Sequence, residues 1–154
     1  MSRYEDRIKE LGLELPEVAK PVAAYVPAVR SGDHVYTSGQ LPFVKGTLLA
    51  TGKVGAEISV EEAAELAAVC ALNAVAALKS QIGDLDRLVR IVKVVGFVAS
   101  ATDFYGQPSV INGASNLLGE IFGEAGVHAR SAVGVAVLPM NAPVEVELIA
   151  EVTA

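Results

Sequence analysis

Arg130 and Glu145 are the residues whose types and setting most clearly suggest chemistry. Arg130 opens an otherwise apolar run near the C-terminus, and Glu145 alternates with Glu147 in the next run. A guanidinium carries five N–H donors in a rigid fork and keeps its charge, so at the mouth of an apolar element it suits a planar carboxylate. The pattern predicts a site for a small organic acid. The alternative is that Arg130 begins a strand and pairs with a surface carboxylate, a contact that contributes little stability.

Four further positions interrupt apolar surroundings and complete the set of candidate binding residues: Tyr25, Ser38, Gly39 and Asn112. Each also has an ordinary structural explanation. Tyr25 could be a packed ring, Ser38 and Gly39 a turn that ends a strand, and Asn112 a residue in the first turns of a helix. Considered one by one, these residues therefore do not establish a site.

The sequence argues against the common hydrolytic and metal-dependent sites. His34 and His128 are the only histidines and no serine lies in a G-x-S-x-G segment, so we expect no Ser-His-Asp or Cys-His site. Neither histidine has metal-ligand spacing, and the single cysteine, Cys70, is expected to be a buried core thiol. The C-terminal glycines lack phosphate-loop spacing. We therefore expect no metal and no cofactor.

Composition restricts the class of protein and its partners. A chain of 154 residues fits one domain, which we assign to residues 1–154 with an N-terminal helical extension at 1–21 and a core at 22–154. The net charge of −6, without a cluster of lysines and arginines, disfavours nucleic-acid binding. The N-terminus is too charged for a secretory signal, and the longest apolar stretch carries polar residues. We expect a cytoplasmic protein without a membrane partner.

The candidate residues must be positioned by a small number of elements. A helix is predicted over residues 2–11 and a β-meander over 24–53. Ser59 and Gly83 bound a long helix from Val60 to Ile82. A strand at 88–100 follows, then a helix from about residue 107 to a glycine at 123 or 126, then strands at 131–138 and 143–152.

This order of elements predicts an α+β fold, in which a mixed sheet is covered on one face by two helices. The mean hydropathy is +0.45 although only 5% of the residues are aromatic, which indicates that apolar surface is buried between subunits. If the last two strands formed a hairpin, Arg130 and Glu145 would lie roughly 20 Å apart at about 3.3 Å per residue. The two residues could then meet only across a subunit interface, unless the strands are not neighbours.

Three segments resemble the Rid family of reactive intermediate deaminases, also called YjgF or endoribonuclease L-PSP proteins. They are residues 35–42 (VYTSGQLP), 129–139 (ARSAVGVAVLP) and 144–150 (VEVELIA), within a resemblance that covers about residues 22–152. The resemblance implies a chorismate-mutase-like fold of the Bacillus type and a homotrimer with pockets at subunit interfaces. It also implies hydrolysis of enamine and imine intermediates to a 2-keto acid and ammonia, without a cofactor.

The resemblance also implies a role for each candidate residue. Arg130 would bind the substrate carboxylate with help from backbone groups near Ser38 and Gly39, and Glu145 would position or activate the attacking water. Tyr25 and Asn112 would shape the pocket. The chain departs from the family's best-studied members, which often have a cysteine two residues after the arginine and a glutamate four after it. The residues at those two positions here are Ala132 and Gly134.

Three other functions remain as alternatives to an imine deaminase. The first is a non-catalytic trimer of the same fold that binds a small carboxylic acid. The second, an endoribonuclease, follows the family's older name, and the acidic composition counts against it. The third is an isomerase similar to chorismate mutase, which would share the trimer and an arginine-dependent acid site.

Overall fold

A five-stranded mixed sheet with two long helices on one face forms the centre of the protein. The computed structural model describes residues 2–18 and 24–154. Its helices and strands, in chain order, are α1 (Arg3–Glu10), β1 (Ala28–Ser31), β2 (His34–Thr37), β3 (Phe43–Val44), β4 (Thr47–Leu48), α2 (Val60–Ile82), β5 (Leu88–Ala99), α3 (Gln107–Phe122), β6 (Ala129–Val135) and β7 (Val144–Val152). The predicted α+β class, with its mixed sheet and covering helices, is confirmed.

The strands of the main sheet lie in the order β1-β2-β7-β5-β6. β5 and β6 are parallel and are joined by α3, whereas the other neighbouring pairs are antiparallel. A parallel pair needs a crossover connection, and α3 supplies it. The last strand, β7, therefore occupies the middle of the sheet.

The helix α2 begins and ends where the sequence predicts. The Ser59 hydroxyl accepts a hydrogen bond from the Glu62 N–H, and Gly83, with φ 78°, donates its N–H to the Lys79 carbonyl. By length and composition alone α2 could cross a membrane. In this fold 56% of its most apolar window is buried, because it packs against α3 and the sheet.

Close contacts between backbones hold the helices and the sheet together. Gly113 of α3 lies against the Ala64 carbonyl of α2, where an added Cβ would overlap the oxygen. Gly96 of β5 similarly leaves room for the Ile111 side chain. Only glycine allows such an approach, so both positions set how near α3 lies to its neighbours.

Helix α1 packs into the same core as the sheet. Tyr4 and Ile8 are buried, and Glu5 forms an ion pair with Lys79 of α2. The Asp86 carboxylate accepts hydrogen bonds from two N–H groups of the first turn of α1. The predicted boundary between residues 21 and 22 lies outside the described residues.

Two of the predicted strand assignments are corrected by the structure. Residues 24–53 form two separate hairpins, since β3 and β4 pair with each other and not with the main sheet. Asn73 of α2 donates to the carbonyls of Leu41 and Phe43, which directs the chain away from the sheet there. β6 ends at Val135 rather than 138, because its partner β5 ends at Ala99.

Candidate functional site

Arg130 lies on β6 and faces α3. It is in register with the buried Val94 of β5, on the side of the sheet that the helices cover. Its Nη1 donates to Asn112 Oδ1 at 2.8 Å and to Ser115 Oγ at 3.2 Å. Within the described part of the chain, Nε and Nη2 form no hydrogen bond. Two of the five donors are therefore used. Three are left, and two of them, Nε–H and one Nη2–H, form the edge that can bind a carboxylate side-on.

Ser115 and His128 join this group, although the sequence analysis assigned them no role in the site. His128 Nε2 lies 2.9 Å from Ser115 Oγ, and its Nδ1 lies 2.6 Å from the Gly126 carbonyl oxygen. Two spacings could have indicated them. Ser115 follows Asn112 by three residues, which places both on one helix face. His128 precedes Arg130 by two, which places both on one side of the extended segment that leads into β6. We call Asn112, Ser115, His128 and Arg130 the arginine half-site.

Glu145 lies on β7 and faces away from the helices. Its strand neighbours Val144 and Val146 point into the core, so the alternation of the strand places Glu145 on the uncovered face. Its carboxylate lies directly against Gly39, and an added Cβ there would overlap it. Burial raises the pKa of Glu145, and the nearby Glu147 carboxylate raises it further. A raised pKa makes this carboxylate a better proton acceptor than an ordinary glutamate.

A β-bulge brings Gly39 beside Glu145. Tyr36 pairs with Ile149, and the next bridge joins Gln40 to Val146. Three residues of the first segment, 37–39, therefore oppose two of the second, 147–148. The Thr37 hydroxyl accepts the hydrogen bond of the Leu148 N–H that the bulge displaces.

Both donors of Ser38, its backbone N–H and its hydroxyl, already form hydrogen bonds within the chain. Its N–H donates to the Pro27 carbonyl, and its hydroxyl donates to the Val26 carbonyl at 2.6 Å. The Gly39 N–H, by contrast, has no hydrogen bond within the described residues, so of the two amides it is the one free for a ligand. We call Ser38, Gly39 and Glu145 the carboxylate half-site.

The two half-sites lie apart in one chain. Strand β5 lies between β6 and β7, with Arg130 in register with Val94 and Glu145 with Phe97. Two strand spacings and three residues along the strand separate their Cα atoms by about 14 Å. The side chains also lie on opposite faces of the sheet. The hairpin considered from the sequence does not form, and the two residues still do not meet within the chain.

Tyr25 belongs to neither half-site in the chain. Tyr25 lies in the segment before β1, and it is 61% exposed. The uncovered face also exposes three large apolar side chains, and they are Val29, Tyr36 and Val133. In register, Val29 lies beside Tyr36, and Val133 lies beside Phe97, which in turn faces Glu145. Apolar side chains thus lie beside Glu145 and elsewhere along the same face of the sheet.

The structure also shows the surroundings of Ala132 and Gly134, the two positions at which this chain departs from the best-studied members of the resembled family. Ala132 packs partly buried against the core. A Cβ on Gly134 would crowd the side-chain amide of Gln107, which donates to the Phe104 carbonyl and to Ser100 Oγ. An acidic side chain at position 134 would therefore displace Gln107. No group of three or more histidine, cysteine or acidic side chains is arranged for a metal ion among the residues that the structure describes.

Comparisons with known proteins identify the family of this chain. Residues 5–152 match the family described as "YjgF/chorismate mutase-like, putative endoribonuclease". A solved structure of Atu1372, a protein of unknown function from Agrobacterium tumefaciens, is 47% identical with a TM-score of 0.92; the alignment covers 97% of this chain and 92% of that one.

Two relatives of known name extend the comparison. Protein TCP17 of Trypanosoma cruzi is 44% identical over 97% of this chain and 94% of its own length. A 2-iminobutanoate/2-iminopropanoate deaminase of Dermatophagoides farinae is 31% identical over 89% of this chain and 92% of its own. The segments that carry the sequence resemblance thus lie within a match along almost the whole chain. The chain belongs to the YjgF family, which also includes endoribonuclease L-PSP and Rid-type proteins.

Proposed function

We propose that this protein hydrolyses 2-imino or 2-enamino acids to 2-keto acids and ammonia. The observation that carries the proposal is the free edge of Arg130, whose Nη1 is held by Asn112 and Ser115 while Nε and Nη2 have no partner within the described chain. That edge matches a carboxylate in shape and charge. The named activity of the Dermatophagoides farinae relative supports the same substrate class.

The chemistry needs only orientation and one proton acceptor. An enamino acid first tautomerises to the imine, and the carbon of a protonated imine is already electrophilic. Glu145 takes a proton from a water molecule as its oxygen bonds to that carbon, which gives a carbinolamine. The same carboxyl returns that proton to the nitrogen and then takes the hydroxyl proton as the C=O bond forms and the C–N bond breaks. The 2-keto acid leaves, and the proton passes from the carboxyl to the ammonia, which leaves as ammonium and restores the carboxylate. Holding substrate and water in place lowers the barrier without a covalent intermediate.

We further propose that each pocket combines the half-sites of two copies in a homotrimer. Arg130 and Glu145 are about 14 Å apart at Cα and on opposite faces, too far for one small substrate within one chain. The uncovered face exposes Val29, Tyr36 and Val133, which favours a second copy of this chain as its occupant. Light scattering that finds a monomer would contradict this part of the proposal.

The proposed reaction is tested by generating imino acids in the assay with an amino-acid oxidase. Release of 2-keto acid and ammonia is followed over several amino-acid substrates, with and without the protein. We expect acceleration above the spontaneous rate. A folded trimer that accelerates none of these reactions would overturn the deaminase proposal.

Mixed oligomers test whether the pocket is shared. We expect Arg130→Ala and Glu145→Gln each to abolish activity alone, and their co-expression at equal levels to restore about a quarter of the sites, because a random pair then supplies one intact half from each copy. Activity is measured on the purified mixed oligomer. If each pocket lies within one chain, no mixture recovers activity.

Replacing Glu145 tests its role as proton acceptor. We expect Glu145→Gln to lower kcat by about a hundredfold or more while the affinity for a 2-keto acid is kept. In the wild type, activity falls as the pH drops through the raised pKa of Glu145, because protonation removes the base.

Glu147→Gln is the matched control for Glu145. It removes the neighbouring charge that raises the Glu145 pKa, so the acid limb of the pH profile moves to lower pH while the plateau rate is kept. Profiles of kcat against pH for the wild type, Glu145→Gln and Glu147→Gln separate loss of the base from a change in its pKa. A full plateau rate in Glu145→Gln would contradict a catalytic role.

A carboxylic-acid-binding trimer without turnover is the second candidate. It is favoured by the crowding at Gly134, where Gln107 occupies the space that an acidic side chain would need. The oxidase-coupled hydrolysis assay and the affinity for a 2-keto acid separate the deaminase from the binding trimer. A binder holds 2-keto acid through Arg130 and has no hydrolysis for Glu145→Gln to remove.

A further inference from the structure

We propose that Ser115 and His128 are positioning residues for Arg130, acting through a directed chain of hydrogen bonds. The chain runs from Arg130 Nη1 to Ser115 Oγ at 3.2 Å, from Ser115 to His128 Nε2 at 2.9 Å, and from His128 Nδ1 to the Gly126 carbonyl at 2.6 Å. The inference rests on the proposed function, because it assigns these residues to the carboxylate-binding step of the same site.

The Gly126 carbonyl determines which group donates at each step of the hydrogen-bond series. A carbonyl oxygen only accepts, so the proton of the neutral His128 ring lies on Nδ1 and leaves Nε2 as an acceptor. The Ser115 hydroxyl then donates to Nε2 and turns its lone pairs toward Arg130. An unassisted hydroxyl rotates freely, whereas this one is held as an acceptor for the guanidinium.

Two acceptors on one nitrogen determine the plane of the guanidinium. Asn112 Oδ1 and Ser115 Oγ both lie on α3 and both bind Nη1. With that nitrogen held, Nε and Nη2 keep a constant direction and can meet a carboxylate side-on. Because the side chain is already ordered, less rotamer entropy is lost when the ligand binds.

The alternative roles of this pair make different predictions. A merely structural link between α3 and β6 would affect stability and leave ligand binding alone. A Ser115 nucleophile activated by His128 would make turnover depend on the hydroxyl. A positioning role affects binding of the carboxylate in the ground state and the transition state equally, so it changes KM and not kcat.

The test compares Ser115→Ala and His128→Phe with matched controls elsewhere in the chain. The controls are Ser109→Ala, an exposed serine on the same helix without a side-chain hydrogen bond within the described chain, and His34→Phe, the other histidine. KM and kcat come from the oxidase-coupled assay, and Kd for 2-oxobutanoate comes from calorimetry. We expect KM and Kd to rise about three- to tenfold with kcat within about twofold. Ser115→Ala removes one of the two hydrogen bonds that hold Nη1, and His128→Phe releases the hydroxyl that accepts that bond.

Two conservative variants and one spectrum complete the test. Ser115→Thr keeps the hydroxyl and His128→Gln keeps an acceptor, and both are expected to recover most of the affinity. Long-range ¹H–¹⁵N spectra are expected to show the Nδ1–H tautomer of His128. An Nε2–H tautomer, unchanged KM and Kd in Ser115→Ala, or a hundredfold loss of kcat there would each overturn the inference.

The outcomes also separate this inference from the proposed function. If the wild type binds 2-oxobutanoate but hydrolyses no imine, the proposed function fails and the Kd values alone decide the inference. If the wild type hydrolyses imines and Ser115→Ala behaves like Ser109→Ala, the inference fails and the function stands. If the wild type neither binds nor hydrolyses, both are overturned.

Discussion

Arg130→Ala is expected to lower kcat/KM for imino-acid hydrolysis by about a hundred- to ten-thousandfold. The substitution removes two charge-assisted hydrogen bonds to the substrate carboxylate, each contributing about 1.5–3 kcal/mol. Arg130→Lys is expected to recover little of this loss, because an ammonium is a point charge and cannot form the side-on pair. The rates are measured in the oxidase-coupled assay, and Kd for 2-oxobutanoate is measured on the same samples.

Arg30→Ala is the matched control for this loss. Arg30 is also a strand arginine, but its guanidinium donates to the backbone carbonyls of Gly32 and Thr153, away from both half-sites. We expect its kcat/KM to stay within about twofold of wild type. If Arg130→Ala and Arg30→Ala behaved alike, Arg130 would not be the carboxylate-binding residue.

Gly113→Ala is expected to lower the free energy of unfolding by about 3 kcal/mol, a large loss for the addition of one methyl group. The new Cβ would overlap the Ala64 carbonyl, which belongs to the backbone of α2 and cannot rotate away. Helix α3 must therefore move, and Asn112 and Ser115 move with it. We expect the Tm to fall by about 10 °C for a chain of this length.

Gly119→Ala is the control, because it adds the same methyl group to the same helix. No atom beyond the local helix backbone lies within 4 Å of the added Cβ, so the change should stabilise α3 by about 0.5–1 kcal/mol. Thermal unfolding of the two variants and the wild type checks the pair. Equal Tm values for the two variants would show that the Gly113–Ala64 contact does not limit the packing.

Local signals were sufficient to predict most of the elements. Ser59 and Gly83 gave the bounds of α2, because capping depends on residues adjacent in the sequence. The sheet order was not accessible in this way. The position of β5 between β6 and β7 depends on the crossover through α3, and neither strand's own pattern specifies its neighbour.

The site likewise combines residues that local sequence patterns indicate with residues that only long-range packing brings together. Arg130 stood out because a charge in an apolar run is visible in the sequence. Asn112 was also a candidate from the sequence, and the resemblance implied its role in the pocket. Ser115 and His128 were missed because each is ordinary alone, and only the packing of α3 on β6 makes them partners. The bulge that places Gly39 against Glu145 was also invisible, since it is defined by how two distant segments pair.

The central position of β7 has a consequence for how the chain is made. Residues 144–152 are synthesised after the other four strands of the sheet, yet they join the hairpin β1–β2 to the parallel pair β5–β6. Until then the nascent chain holds two sheet fragments whose facing edges have unpaired backbone groups. The sheet therefore closes only once β7 has been made, and a chain that stops before residue 144 lacks the middle of the sheet rather than its edge.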